Sequence, residues 1–396
     1  MTMNDSPQMP IEFELTEATL RNRRGNKWHL HPQDVIPAFV ADMDFAVAAP
    51  IQQALARLVT EKDLGYAKRE GDNTIAAAYV RYLRRRFGIE TDAALVQPVG
   101  DLVQGTFAAV MAFSEPDDGV ILHVPNYPPF REAITVTGRR LLPVTMHDTG
   151  TRHAFDPDEM RRLVDARTRI ILLCNPQNPT GRVFSREELR AIADLAIERD
   201  LIVVSDEIHC DLVYPGREHI PFISLGPDVA ARTITLNSAT KSYNIPGLRC
   251  ALMHFGSAEL LARFHKRIPA RLTGQPGVTG VDATIAAWDH ARPWLDAVLP
   301  YLDKARHHVK EVLAAEIPEI RCHVPEATYL IWLDCRALSL QSPTAFDFFL
   351  QKAKIGFSAG ETFEPAATQF VRMNFATSRK ILDEILGRMI GAVRAR

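Results

Sequence analysis

Four chemically distinct side chains stand just after four short apolar runs of the chain. Pro125-Asn126-Tyr127 follows Gly119–Val124, and Asn175-Pro176-Gln177-Asn178-Pro179-Thr180-Gly181 follows Arg169–Cys174. Asp206-Glu207-Ile208-His209 follows Leu201–Ser205, and Ser238-Ala239-Thr240-Lys241 follows Thr233–Leu236. The set comprises an aromatic ring, a carboxamide, a carboxylate and a primary amine. Upstream, Gly100-Asp101-Leu102 opens an apolar helix-like stretch ending near Ser114, and the free N–H groups of a helix N-terminus hold anions. An amine for an aldehyde, an anion for a ring nitrogen, a donor for a phenolic oxygen, a ring to stack on and a phosphate cradle are what pyridoxal phosphate requires.

Singly, each of these residues has an ordinary alternative. Asn178-Pro179-Thr180-Gly181 is a good turn sequence, Asp206 and Ser238 could cap the segments that follow them, Tyr127 could be packing, and Lys241 could be a solvated lysine. Their placement at successive strand ends is what points to a site. The runs are rich in Val, Ile and Leu without alternation, the pattern of parallel strands covered on both faces. Between about residues 95 and 250 they alternate with helical patterns, as strands joined by crossover helices do. One such helix is marked by a capping box of Ser185 with Glu188, with Leu189, Ile192, Ala196 and Ile197 on one face. In an open parallel sheet, ligands bind beyond the carboxyl ends of the strands, so the four side chains converge on one edge.

The C-terminal third reads as a helix over Pro293–Ala315, a strand-like Tyr329–Leu333 and a last helix after Thr377, grouped as in a smaller α+β domain. The expected division is an N-terminal segment 1–48 belonging to the small domain, a large cofactor-binding domain 49–290 and a C-terminal small domain 291–396. A chain of 396 residues is long enough for two such units.

With 46 Lys plus Arg against 48 Asp plus Glu, the chain carries no field suited to nucleic acid or an anionic membrane. The run Arg84-Arg85-Arg86 lies on a helix-like stretch from Thr74 to Phe87 and reads as a solvated face. The longest charge-free stretch, Leu102–Ser114, is too short to span a bilayer, and the acidic start broken by Pro7 and Pro10 shows no secretory pattern. Five scattered cysteines (Cys174, Cys210, Cys250, Cys322, Cys335) have no metal or redox spacing, so free thiols in the cytoplasm and no metal site are expected.

NPQNPTG (175–181), the Asp206 segment and SATKSYNIPGLR (238–249) together resemble the signature of fold-type I pyridoxal-phosphate enzymes, the aspartate aminotransferase superfamily. The resemblance covers most of the chain. It implies an α/β fold with a mostly parallel, seven-stranded type of sheet sandwiched by helices, plus the smaller α+β domain. It makes Lys241 the Schiff-base lysine, Asp206 the partner of the ring nitrogen, Asn178 the donor to the phenolic oxygen and Tyr127 the stacking ring. The phosphate falls to backbone at Asp101 and Leu102, to the Ser238 hydroxyl and to Arg249. Tyr66, in LGYAKREG, resembles the tyrosine that reaches the phosphate of the neighbouring subunit, which implies a homodimer with shared sites. Arg372, in FVRMNFA, falls where the family binds the substrate α-carboxylate, a task suited to a bidentate guanidinium. His209, three residues after Asp206, lies close to the ring, with its role left open.

FVADMDFAVAAPI (39–51), VPNYPPF (124–130), DEIHCD (206–211), KSYNIPGL (241–248) and FVRMNFA (370–376) narrow the resemblance to the MalY/PatB-type cystathionine β-lyases, or carbon–sulfur lyases. It sets Asp42, Met43, Asp44 and Phe45 near the substrate entrance, with Asp42 and Asp44 as substrate-binding candidates. The implied reaction is β-elimination of an L-cysteine S-conjugate to thiol, pyruvate and ammonia, with the Lys241 amine taking the Cα proton. Return of that proton to the cofactor carbon instead would give transamination, and Arg249 is the residue aminotransferases carry at its position. A class I/II aminotransferase and a natural-product enzyme acting on S-cysteinyl conjugates, by lysis or with decarboxylating or oxidative outcomes, are the alternatives. Regulators built on this fold carry an additional DNA-binding domain. About 40 residues precede ADMDF and Lys241 is present, so a catalyst is expected.

Overall fold

The four apolar runs form four adjoining parallel strands. A computed structural model describes residues 12–67 and 71–396. The acidic start with Pro7 and Pro10, and Lys68–Glu70 of LGYAKREG, lie outside the described residues. The large sheet consists of β1 (Val96–Val99), β2 (Gly119–Val124), β3 (Arg140–Thr145), β4 (Thr168–Cys174), β5 (Ile202–Asp206), β6 (Thr233–Asn237) and β7 (Ala251–Phe255). Their order is β1-β7-β6-β5-β4-β2-β3, with only β7 running antiparallel to its neighbours. Every residue of β2, β5 and β6 is buried, which is why these runs lack alternation.

Successive side chains leave opposite faces of the sheet. Val120, Leu122, Ile170, Leu172 and Ile234 pack with the helix Leu102–Phe113 on one side. Ile121, Ile171, Leu173 and Val203 pack with the helix Arg186–Glu198 on the other. Both arms of the Ser185–Glu188 capping box are present.

The C-terminal sheet consists of β8 (Leu330–Asp334), β9 (Ser358–Ala359) and β10 (Phe370–Asn374) in the antiparallel order β8-β10-β9. Helices Arg292–Glu316 and Arg379–Arg394 accompany it. Ile36–Pro37 pairs in parallel with Ile355–Gly356, so the N-terminal segment joins this layer. The two sheets are tied together at the loop after β4. Gly181 adopts φ +70°, and a Cβ there would lie 2.4 Å from Pro325 Cβ, so only glycine fits. The Gly181 carbonyl accepts from the N–H groups of Glu326 and Ala327 at 2.9 and 3.0 Å. Next to it, the buried Arg182 guanidinium pairs with Glu326 at 2.6 Å and Glu188 at 2.7 Å. Among the described residues no helix is long and apolar enough to cross a membrane.

His123, within β2, is buried with neither ring nitrogen partnered among the described residues, and lies edge-on to Phe155 and Phe184. Burial lowers its pKa to about 4. Between about 4 and 6.5 the unfolded chain therefore binds the extra proton and the native state does not. Stability is full above the unfolded value and falls as pH drops through this window, by on the order of 3 kcal/mol. His123→Leu is expected to flatten the acid limb of a stability–pH profile measured by urea denaturation. An unchanged slope between pH values of about 6.5 and 4 would refute this account.

Candidate active site

A cavity of about 500 Å³ opens where β2, β4, β5 and β6 end. Lys241, in the turn after β6, lines it half-buried, with its Nζ donating to the Ala41 carbonyl at 3.0 Å. Burial lowers the amine to about 8. Asp42 and Asp206 oppose this shift, and Arg372 adds to it. Such an amine is readily neutral, and a neutral amine is a nucleophile and a base.

Asp206, the last residue of β5, is buried, and among the described residues its carboxylate accepts only from the Ile208 N–H, at 3.0 Å. Desolvation raises it to about 7. A buried carboxylate so poorly provided with donors suits a cationic N–H in the cavity. His209 follows on the same turn, edge-on to Tyr329 with ring centroids 6.4 Å apart. Its buried Nδ1 has no partner among the described residues, and burial lowers it to about 3, so it is a neutral imidazole.

Asn178 and Arg372 meet in the cavity: Arg372 Nη1 donates to Asn178 Oδ1 at 2.9 Å, and Nη2 to Ser358 Oγ at 3.0 Å. The guanidinium lies 4.7 Å over the Phe363 ring. Among the described residues its buried Nε has no acceptor and no carboxylate pairs with the guanidinium, and desolvation pulls the group down to about 10. Because Asn178 spends its oxygen on Arg372, its NH2 group is left to face a ligand oxygen.

Tyr127, at the start of the helix Pro128–Thr135, lines the cavity half-exposed. Its N–H donates to Asn126 Oδ1 at 2.7 Å, and Asn126 Nδ2 donates to the His123 carbonyl at 2.8 Å, so Asn126 fixes the turn that presents the ring. Asp101 caps the helix Leu102–Phe113 by accepting from Gln104 N at 2.8 Å. The first-turn N–H groups of Leu102 and Val103 have no intrahelical acceptor and border the cavity. Arg249, in the left-handed region at φ +46°, reaches across to pair with Asp101. The Ser238 hydroxyl lies 2.6 Å from the Cys250 carbonyl and 2.8 Å from Thr240 Oγ1.

Three expected residues lie elsewhere or differ in surroundings. Asp44 does not border the cavity. It is buried, with Oδ2 accepting from Lys27 Nζ at 2.9 Å and Oδ1 from Trp28 Nε1 at 2.8 Å, so it anchors its segment rather than meeting a substrate. Asp42 is half-buried beside Lys241. Tyr66 is 99% exposed, away from this chain's cavity. Sequence reasoning missed the Ala41 carbonyl, Ser358, Phe363 and Tyr329. The first is a backbone group without a residue-type signal, and the others lie on C-terminal segments whose packing no motif marks.

The model of the family described as aminotransferase class I and II matches residues 40–389. Among curated proteins, the chain is 31% identical to cystathionine beta-lyase PatB of Bacillus subtilis (strain 168), over 91% of this chain and 93% of that one. Among solved structures, OvoB superposes with a TM-score of 0.90 at 35% identity, covering 95% of this chain and 97% of that chain. Cystalysin from Treponema denticola, which contains pyridoxal 5'-phosphate, superposes with a TM-score of 0.91 at 29% identity, covering 98% of this chain and 100% of that chain.

Proposed function

Because the chain belongs to the class I and II aminotransferase family, we propose that it is a pyridoxal-phosphate-dependent carbon–sulfur lyase that eliminates the β-thiolate of L-cysteine S-conjugates. The observation that carries this reading is the Lys241 amine, lowered to about 8, sharing one cavity with a donor-poor Asp206 and with Arg372, which no carboxylate pairs among the described residues. The likeness to proteins named as cystathionine β-lyases supports the choice of leaving group.

The cavity fits the cofactor by its donor set: Lys241 for the aldehyde, Asp206 for the ring nitrogen, Asn178 for the phenolic oxygen and Tyr127 for the ring face. His209 is the neutral neighbour of the same ring edge. Leu102, Asp101 and Arg249 supply the anion cradle, with Ser238 at its floor. When bound, pyridoxal phosphate supplies an electron sink for the pair left on Cα. Arg372 holds the substrate carboxylate through its planar fork, oriented by Asn178, Ser358 and Phe363. Lys241, once free, takes the Cα proton as an amine and holds it on Nζ until the sulfur leaves. Asp206 keeps a cation paired at the ring nitrogen, and burial makes that pairing strong. The enamine released becomes pyruvate and ammonia in water.

Tyr66, exposed on its own chain, supports a homodimer in which this ring completes the partner's phosphate site. The division at residues 48/49 and 290/291 is the matching domain reading. The experiment that tests the function is incubation with cystathionine, cystine and S-alkyl cysteines without a 2-oxo acid. Pyruvate release is the expected result. Conversion only when a 2-oxo acid acceptor is added would replace the lyase reading with the aminotransferase.

A further inference from the structure

We propose that the protein has a second binding site, for a small dianion, in the cavity that Trp332 borders between the two layers, and that a ligand there tightens substrate binding. The tightening rests on the reading of Arg372 given above, whereas the site itself does not.

This cavity measures about 670 Å³. One wall belongs to the layer of the large sheet: Pro125, just before the Tyr127 turn, and the loop after β3, where His147–Asp148 pairs with His153–Ala154 in a short antiparallel ladder. The other belongs to the C-terminal layer: Lys310 of the helix Arg292–Glu316, residues 321–323, and Trp332 of β8. His323 Nε2 lies 2.7 Å from Asp148 Oδ1 and joins the two walls. Clefts between packed units are where small ligands preferentially bind.

The charges on the walls do not cancel. Asp334 accepts from Arg336 at 2.9 and 2.7 Å, and Glu364 pairs with Arg131. Asp148 is engaged by His323 and by the Gly150 N–H at 2.8 Å. Two cations are left over. Lys310 Nζ donates to the Cys322 carbonyl at 2.9 Å and meets no carboxylate among the described residues. The exposed Arg321 guanidinium, one residue before Cys322, has neither a hydrogen bond nor an ion pair among them. A third donor is nearly buried: Trp332 is 5% exposed, and its indole Nε1 has no acceptor among the described residues. An indole N–H can only donate, and when buried it usually finds a partner. Two unpaired cations beside a free N–H suit a doubly charged anion, and a guanidinium favours carboxylate or phosphate oxygens.

Trp332 also links this cavity to the active site. Its ring lies edge-on to Phe363 with centroids 5.5 Å apart, and Phe363 lies 4.7 Å under the Arg372 guanidinium. In the C-terminal sheet Trp332 stands directly opposite Arg372. From the other wall, the Asn126 N–H donates to the Phe363 carbonyl at 3.2 Å. A ligand touching both walls binds best when they face each other as they do here, the arrangement in which Arg372 meets Asn178. Such a ligand therefore favours the state that holds the substrate carboxylate.

The test uses the cofactor-loaded enzyme, whose phosphate cradle is then occupied. Radiolabelled succinate and radiolabelled inorganic phosphate are each dialysed to equilibrium against it, at one ionic strength set by sodium chloride. The two arms separate a dicarboxylate from a phosphate ligand. Saturable binding of at least one is expected, weakened about tenfold in Arg321→Gln and in Lys310→Gln, which keep a polar side chain in place of each cation. With that ion saturating, KM for S-methyl cysteine is expected to fall about fivefold at constant kcat in the wild type and to stay unchanged in both variants. No saturable binding of either ion, or binding equally strong in both variants, would overturn the site. A rise in KM that persists in both variants would overturn it as well, because the anion would then sit on Arg372. An unchanged KM with the ion bound would overturn the coupling. If no conjugate yields pyruvate, the functional reading fails, while dialysis still decides the site.

Discussion

Lys241→Ala is expected to abolish pyruvate formation, with a loss of at least 10³-fold in kcat, because in the proposed reaction one side chain supplies both the cofactor anchor and the base. The general-base share alone is worth about 10² to 10⁴. The neighbouring groups cannot replace it. His209 is neutral but carries a pKa of about 3, far too weak a base, and Tyr127 and Tyr329 are both pushed above the ordinary phenol value by burial. Loss of the amine should also remove the characteristic visible absorbance of lysine-bound cofactor. The fold should survive. The wild-type amine is depressed to about 8, so below that pH the native state carries the cost of a buried ammonium that the unfolded chain avoids. A thermal midpoint at neutral pH equal to or above wild type, together with lost turnover, is the expected pair of results. Retained turnover would remove Lys241 from the mechanism.

Asp206→Asn is expected to cost turnover almost as heavily while making the cofactor-free protein more stable. The amide keeps the shape and the hydrogen-bond acceptor for Ile208, but not the charge proposed to hold a cation at the ring nitrogen. A loss of about 10² to 10⁴ in kcat is expected from a missing buried counter-charge at the reacting group. The stability sign follows from the raised pKa of about 7. Between 3.8 and about 7 the native state holds a proton that the unfolded chain has released, so native stability falls as pH rises through that window. Above it, the ionised Asp206 costs on the order of 4 kcal/mol, which the amide does not incur. Urea denaturation of both cofactor-free proteins at about pH 8 and pH 4 checks this. The variant's advantage should be present at the higher pH and absent at the lower. A variant less stable than wild type at both would show that Asp206 is structural.

What the sequence made legible follows from how each residue is held. The interior strands β2, β4, β5 and β6 announced themselves because burial on both faces demands unbroken apolar runs. The edge strands β1 and β3 did not: each carries a proline, Pro98 and Pro143, which an edge tolerates and an interior strand does not. β7 escaped for a different reason, since it runs antiparallel between β1 and β6 and breaks the βαβ rhythm. Lys241, Asp206, Asn178 and Arg372 could be singled out because they follow strand ends or sit in a recognisable segment, and the fold brings all four to one cavity. The difference between Asp42 and Asp44 could not. Two residues apart in one motif, they diverge because Lys27 and Trp28, folded in from the N-terminal segment, claim one and leave the other. No local pattern records that choice.

Arg182 carries a mechanical consequence. Its guanidinium sits between Glu188 of the large sheet's helix and Glu326 at the approach to β8, and opening either pair would strand a buried charge. That clamp therefore opposes separation of the C-terminal layer from the large sheet. Asn178 lies only four residues from Arg182, so the clamp also steadies the loop that carries the Asn178–Arg372 bond from one layer to the other.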